Sequence, residues 1–339
     1  MTNILIIYTG GTIGMVKDLE TGTLKPFDFS KISENIPELR LLHCHLSDLS
    51  FDKPIDSSNV EPSFWVKLVE IIANNYEKYD GFVILHGSDT MSYTASALSF
   101  MLQNLNKPVI LTGSQLPIGD LRTDAKENLI TAIQLATLQE DNRPVIQEVC
   151  LYFEYKLFRG NRTTKFSAEH FHAFDSPNFP ALAESGVNLR VEKQLLLKNK
   201  STNFSIATNL CADVLIFKLF PGFPLKVLES IVNWGLKAIV LETFGSGNAP
   251  SSAEFISILE VAKSKNIAII NVTQCSAGAV VMGKYETSQH LQELGVIDGK
   301  DITTEAAITK AMFLLGKKSD DINWFKENFE KNLAGEMSN

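Results

Sequence analysis

Apolar runs long enough to cross a membrane are missing from this chain. Nothing in it approaches the roughly 20 residues that a helix needs to span a bilayer. Cysteine is scarce too. Its four copies, Cys44, Cys150, Cys211 and Cys275, are scattered without a Cys-x-x-Cys pair. That argues against a disulfide framework or zinc ribbon and fits reduced thiols in a cytoplasm. A basic excess is lacking: 31 Lys and Arg against 39 Asp and Glu leave a net charge of −8, the wrong sign for a phosphate-backbone partner. The first residues carry neither a basic stretch nor a small-residue cleavage site, so no secretory signal is expected. No period marks a repeat array. What the chain does have is core material, with 45% hydrophobic residues over 339 positions and a mean hydropathy of +0.03. A chain of that length exceeds one ordinary core, and two domains are expected.

Short β-branched apolar runs alternate with helical periodicity. Ile4–Tyr8 runs into Thr9-Gly10-Gly11-Thr12-Ile13-Gly14, and Phe82–His86 into Gly87-Ser88-Asp89-Thr90. A buried parallel strand ending at glycine reads this way. Between the two lie a polar stretch, Val16–Pro26, expected as a mobile lid, and a helix opened by Pro62 with Trp65, Leu68, Val69 and Ile72 on its sheet-facing side. Further strands are expected at Pro108–Leu111, ending in Thr112-Gly113-Ser114-Gln115, and at Val149–Phe153, leading towards Arg159–Lys165. The βαβ rhythm implies a parallel sheet with helices on both faces. It weakens over 189–205, where Lys198–Asn203 is polar, and this stretch is expected as a linker between domains 1–188 and 206–339. Alternation resumes with Val214–Phe217, Ala238–Leu241 and Ile267–Ile270, a smaller second α/β domain.

In open α/β sheets ligands sit beyond the carboxyl ends of the strands. There the sequence delivers two alcohols, Thr12 and Ser88, and a carboxylate, Asp89. An alcohol attacks a carbonyl only once a base takes its proton. Lys165 is a candidate for activation and Asp89 for orientation, and backbone N–H groups of the Gly11 turn are candidates for an oxyanion. Asp89 could also hold an ammonium, and Ser57, with the backbone near Ser58, a carboxylate. Together these describe a pocket for an amino acid whose side-chain carbonyl is cleaved. Plainer roles stand beside these. Thr12 could merely close a turn, Asp89 and Ser57 or Ser58 could cap helices, and Lys165 could be a solvated surface lysine. His43-Cys44-His45 makes a poor chelate, since neighbours on a strand face opposite ways. Gly245-Ser246-Gly247 lacks the third glycine of a dinucleotide turn.

The pair Thr9-Gly10-Gly11-Thr12-Ile13-Gly14 and His86-Gly87-Ser88-Asp89-Thr90 resembles the paired signatures of the bacterial-type L-asparaginases. Arg159–Lys165, Ser176-Pro177-Asn178 and Gly245-Ser246-Gly247-Asn248-Ala249-Pro250 are similar to the cytoplasmic type I branch. The resemblance implies a two-domain asparaginase fold, with a larger N-terminal flavodoxin-like domain and a smaller C-terminal α/β domain. It implies hydrolysis of L-asparagine to L-aspartate and ammonia without metal or organic cofactor, by at least a homodimer. Thr12 matches the primary nucleophile, and Ser88, Asp89 and Lys165 the second catalytic set. Ser57 and Ser58 match the segment that grips the substrate carboxylate. Asn248, Thr164 and Cys275 match an interface or effector region. Three positions depart from the family pattern: Ser88 stands for the usual Thr, Thr23 for the lid Tyr, and Glu242 for an effector-binding Arg. A glutaminase-type amidohydrolase, an amidotransferase subunit supplying ammonia to glutamyl-tRNA, and a non-catalytic amino-acid sensor remain alternatives.

Overall fold

A computed structural model of the chain describes residues 1–17, 24–26, 36–198, 203–283, 286–318 and 320–339. These fall into two compact units, Met1–Ala207 and Thr208–Asn339. The first unit alternates β1 (Thr2–Tyr8), β2 (Cys44–Ser50), α1 (Pro62–Asn75), β3 (Gly81–Leu85), α2 (Met91–Met101), β4 (Val109–Thr112), α3 (Ala125–Ala136) and β5 (Val149–Phe153). β6 (Lys156–Arg159), β7 (Ala183–Ser185) and β8 (Leu189–Val191) complete its main sheet. The eight strands lie in the order β8-β7-β6-β5-β4-β3-β1-β2. From β2 through β5 the pairing is parallel, and from β5 outward it is antiparallel.

The inner parallel strands are apolar on both faces because helices cover both, whereas β2, at the edge, carries His45, Ser47, Asp48 and Ser50 and is not fully buried. On one side Ile4, Ile6, Tyr8, Val83, Leu85 and Ile110 pack with Leu129, Ala132 and Ile133 of α3. Leu5, Ile7, Phe82 and Ile84, pointing the other way, are also buried, as are Trp65, Leu68, Val69 and Ile72 of α1.

Two differences from the sequence reading have physical causes. The parallel pattern gives way to an antiparallel edge because β5 reverses directly into β6. The reversal uses Glu154 and Tyr155 at φ 40° and 67°, a left-handed pair that hairpin turns normally assign to Asn or Gly, so nothing in the residue types marked it. The stretch expected as a linker begins inside the first unit. Leu189–Val191 is the edge strand, and the following segment is tied down by a buried ion pair. Arg159 Nε lies 2.6 Å from Glu148 Oε2. Arg159 also donates to the Leu195 carbonyl, and Glu148 accepts from the Leu197 amide.

The second unit carries β9 (Val214–Lys218), α4 (Leu225–Val232), β10 (Ala238–Thr243), α5 (Ala253–Ser264), β11 (Ala268–Thr273), α6 (Glu286–Glu293), β12 (Ile297–Asp298), α7 (Thr304–Lys317) and α8 (Ile322–Phe329). Its four strands run parallel in the order β9-β10-β11-β12. Lys310 of α7, fully buried, donates to the Phe329 and Lys331 carbonyls and pairs with the buried Glu336. Glu336 in turn accepts the Leu333 and Ala334 amides. The tail after α8 is thus held by one interior cation. Removing only the carboxylate, in Glu336→Ala, strands that charge. An unfolding loss of about 3–5 kcal/mol is expected by denaturant titration, and a Lys310→Met/Glu336→Leu double variant should lose much less.

Candidate active site

The first turn is shaped by close approach. Beyond β1 the chain passes Gly10 at φ 135° and Gly11 at φ 83°. A Cβ on Gly10 would sit 2.1 Å from the Ile55 carbonyl oxygen, and one on Gly11 2.5 Å from both Gly87 Cα and Gly87 N. Only glycine meets both demands. Thr12 then opens a short 3₁₀ turn, Thr12–Gly14, and is half-buried. Tyr8 braces it by donating its phenol to the Gly14 carbonyl at 3.1 Å. Burial pushes that phenol up to about 12, so it stays a neutral donor.

The second turn follows the neighbouring strand, β3. Ser88–Thr90 forms a 3₁₀ turn leading into α2. Lys165 Nζ donates to Ser88 Oγ at 2.8 Å and to Asp89 Oδ1 at 2.7 Å. The lysine side chain is 17% exposed and that of Asp89 63%, so the cation is held inside while the carboxylate faces outward. Asp89 is not the cap it was also expected to be: the helix starts after Thr90 with no side-chain cap, because the carboxylate is engaged by Lys165. Nor is Lys165 a solvated lysine. It is carried there by Gly160–Arg162, which packs on α2. A Cβ on Gly160 would lie 3.0 Å from Ala95 Cβ, and Thr163 Oγ1 donates to the Gly160 carbonyl and lies 3.1 Å from Ser92 Oγ. The pairing of Thr164–Lys165 with Phe174–Asp175 completes the placement.

A third segment joins them. Ser57 is buried. Its Oγ accepts the Asp89 amide at 3.3 Å, its carbonyl accepts Thr90 Oγ1 at 2.7 Å, and a Cβ on Gly87 would fall 2.6 Å from its Oγ. Ser58 is exposed and is not itself a cap: its amide and hydroxyl both donate to Asp56. Those bonds, the backbone one first, hold the Asp56 carboxyl below its usual range. The structure therefore brings Gly11, Ser57, Ser88, Asp89 and Lys165 to one edge of the sheet, with Thr12 beginning the turn that Gly11 seats. Thr23 lies outside the described residues. Thr164 belongs to the first unit. Glu242 lies on β10 of the second, where its carboxylate accepts Thr304 Oγ1 at 2.7 Å and stands 3.7 Å from Lys218 Nζ. Asn248 closes a small turn by exchanging backbone bonds with Phe244, and Cys275 is exposed, its amide donating to Thr273 Oγ1.

Sequence reasoning passed over two supports. Asp124 accepts the Gln115 and Leu116 amides and Asn128 Nδ2, and burial raises its pKa above the usual carboxylate range. Its position before an apolar-periodic helix was the available signal, and it braces the loop after β4. His86, at the end of β3, is 1% exposed, and burial lowers its pKa from 6.5 to about 4. Among the described residues no cluster of three metal-ligating side chains occurs, and no helix is long and apolar enough to cross a membrane.

A doubly wound sheet with two glycine-seated hydroxyl turns and a lysine–carboxylate pair at its carboxyl edge is the layout of an amidohydrolase-type site. The family model for the asparaginase N-terminal domain matches residues 3–197, and the glutaminase/asparaginase C-terminal domain model matches 213–329. The chain belongs to the asparaginase family. It is 39% identical to L-asparaginase 1 of Escherichia coli (strain K12) over 341 residues, covering 99% of this chain and 98% of that one. In structure it is similar to L-asparaginase I from Vibrio cholerae, with TM-score 0.89 and 38% identity over 100% of this chain and 99% of that one. It is also similar to the thermostable L-asparaginase from Thermococcus kodakarensis, with TM-score 0.91 and 30% identity over 99% of each chain.

Two outcomes are expected. Gly11→Ala should remove nearly all turnover, because the added carbon must push the Gly87 backbone aside; steady-state kinetics on the folded variant measures it. The buried imidazole makes stability acid-sensitive. The folded protein takes up the His86 proton only near pH 4, whereas the unfolded chain takes it up near 6.5. The contribution is therefore complete above pH 6.5 and is lost as pH falls towards 4, by roughly 3 kcal/mol. Urea midpoints against pH should show that slope flattened in His86→Asn.

Proposed function

We propose that this protein hydrolyses L-asparagine to L-aspartate and ammonia through an acyl-enzyme. The observation that carries the reading is the Lys165 ammonium, bonded to both Ser88 and Asp89 beside the turn that presents Thr12. In this reading Asp89 receives the substrate ammonium on its outward side, and Ser57, with the backbone near Ser58, receives the α-carboxylate. The side-chain amide then lies over the Thr12 turn. The Thr12 hydroxyl oxygen adds to the amide carbon as its proton passes by way of the Ser88 hydroxyl, held and polarised by the Lys165 cation, to the amide nitrogen, and the oxyanion is met by backbone N–H groups of the Gly11 turn. Collapse expels ammonia, which takes up a proton, and leaves an ester on Thr12. Water adds to the ester by the same route in reverse and releases aspartate. No metal or organic cofactor enters. The enzyme is proposed to work in the cytoplasm as a homodimer or a dimer of dimers. The similarity of the second unit to glutaminase/asparaginase C-terminal domains supports testing glutamine as a second substrate. One methylene separates the two substrates, and a pocket discriminates that by only about 1–3 kcal/mol.

Ammonia release from L-asparagine and L-glutamine tests this. Wild type is expected to turn over asparagine, and Thr12→Ala to lose at least ~10³-fold in kcat while remaining folded. A near-wild-type Thr12→Ala overturns the nucleophile. Tight asparagine binding without release of ammonia from either amide would turn the reading to a sensor. Ser88→Thr keeps the hydroxyl and is expected to remain active. Lys165→Met, which removes the cation from both partners, should lose roughly 100-fold or more.

A further inference from the structure

Behind the Ser88 turn lies a buried polar chain that the proposed mechanism does not use. His86 Nδ1 lies 2.6 Å from the Gly87 carbonyl oxygen, and Nε2 lies 3.0 Å from Thr94 Oγ1. Thr94 is 0% exposed, and its hydroxyl accepts the indole N–H of Trp65 at 3.1 Å. A carbonyl oxygen can only accept, so Nδ1 carries the ring hydrogen. Burial keeps the imidazole neutral, which leaves Nε2 as an acceptor. The Thr94 hydroxyl, already accepting from the indole, gives its one hydrogen to Nε2. Direction is thus set along the whole chain, from Trp65 through Thr94 and His86 to Gly87. Phe64 packs edge-on against the imidazole, with centroids 5.4 Å apart. In such an apolar setting a fully matched chain is stiff.

The carbonyl at its end belongs to the Gly87–Ser88 peptide. Rotating that plane swings Ser88 Oγ relative to Lys165 and shifts the Asp89 amide from Ser57. Both bonds hold parts of the Ser88 turn. We propose that His86 is a positioning residue for the Ser88 turn, locking the Gly87–Ser88 peptide plane as a neutral Nδ1–H imidazole whose tautomer is chosen by Thr94 and Trp65. It touches neither substrate nor reacting atoms. Its kinetic consequence rests on the amidohydrolase reading; its tautomer does not.

Long-range ¹H–¹⁵N NMR of the labelled wild-type protein reads the ring directly. The Nδ1–H tautomer is expected across neutral pH, and an Nε2–H ring or an imidazolium overturns the inference. Kinetics read the consequence. His86→Asn keeps an N–H close to the Nδ1 position, whereas His86→Leu has none and His86→Gln moves it towards Thr94. Leu and Gln are expected to lower kcat about 100-fold with KM within about threefold, and Asn to recover to within about tenfold of wild type. Wild-type kcat per folded molecule in Leu, or losses in KM alone, overturn it. Thr94→Val leaves position 86 intact and supplies the check if Leu and Gln fail to fold. A mixture of tautomers with kcat down about tenfold is expected, and an unchanged ring and rate overturns the relay. If wild type releases no ammonia, the proposed reaction has failed, and the NMR result judges His86 on its own.

Discussion

Two glycines pressed backbone to backbone hold the candidate active site together. Gly11 ends the turn after one parallel strand and Gly87 begins the turn after its neighbour, with no room for a carbon between them. Strands in a sheet are spaced by their hydrogen bonds at about 4.8 Å, so turns leaving adjacent strands are neighbours automatically. They can interlock only where side chains are missing. That absence lets Thr12 and Ser88, on different strands, be seated by one shared piece of backbone. Ser57 fits the other side of Gly87 as closely, so three chain segments converge on one residue without a Cβ.

Much of this was legible in advance, and for identifiable reasons. The β-branched runs ending in glycine marked β1 and β3, since strands buried on both faces leave little choice of residue. Ser57 and Ser58 were legible as possible caps, although the capping side chain proved to be Asp56, which closes the short 3₁₀ turn Ser57–Asn59 and not α1. What could not be read was contact between segments far apart in the chain. Ser88 and Lys165 are 77 residues apart, and their bond depends on the reversal at Glu154 and Tyr155. Those two residues adopt left-handed conformations that their types disfavour. His86 fell within a run read as a buried strand, but its bonding was not legible there. Its partners, Thr94 and through it Trp65, come from two different helices.

Placing Lys165 is a packing problem before it is a chemical one. A lysine drawn from water towards a serine needs rigid backbone behind it, because its four-carbon stem otherwise prefers solvent. The rigidity comes from Gly160–Arg162 lying flat on α2, close enough that Gly160 touches Ala95. Thr163 then ties itself to Ser92, four residues beyond Ser88 on the same helical segment. Both members of the Lys165–Ser88 bond are thereby referenced to α2.

The two carboxylates singled out at strand ends, Asp89 and Glu242, differ in what remains for a ligand. Glu242 is 15% exposed, with one oxygen accepting Thr304 and the other facing Lys218. Its charge is largely spent on the second unit's own structure. A ligand anion brought there would meet a negative charge already locked in place, and a ligand cation would have to displace a lysine. Asp89 is 63% exposed, with Lys165 engaged at Oδ1 alone. A carboxylate oriented by one cation and open to solvent on its other side can accept an ammonium without breaking an existing bond. It avoids the several-kcal/mol cost of desolvating a buried ion. Charge sign alone would rank these positions as equals. The hydrogen bonds each has already made separate a structural acid from one still able to bind.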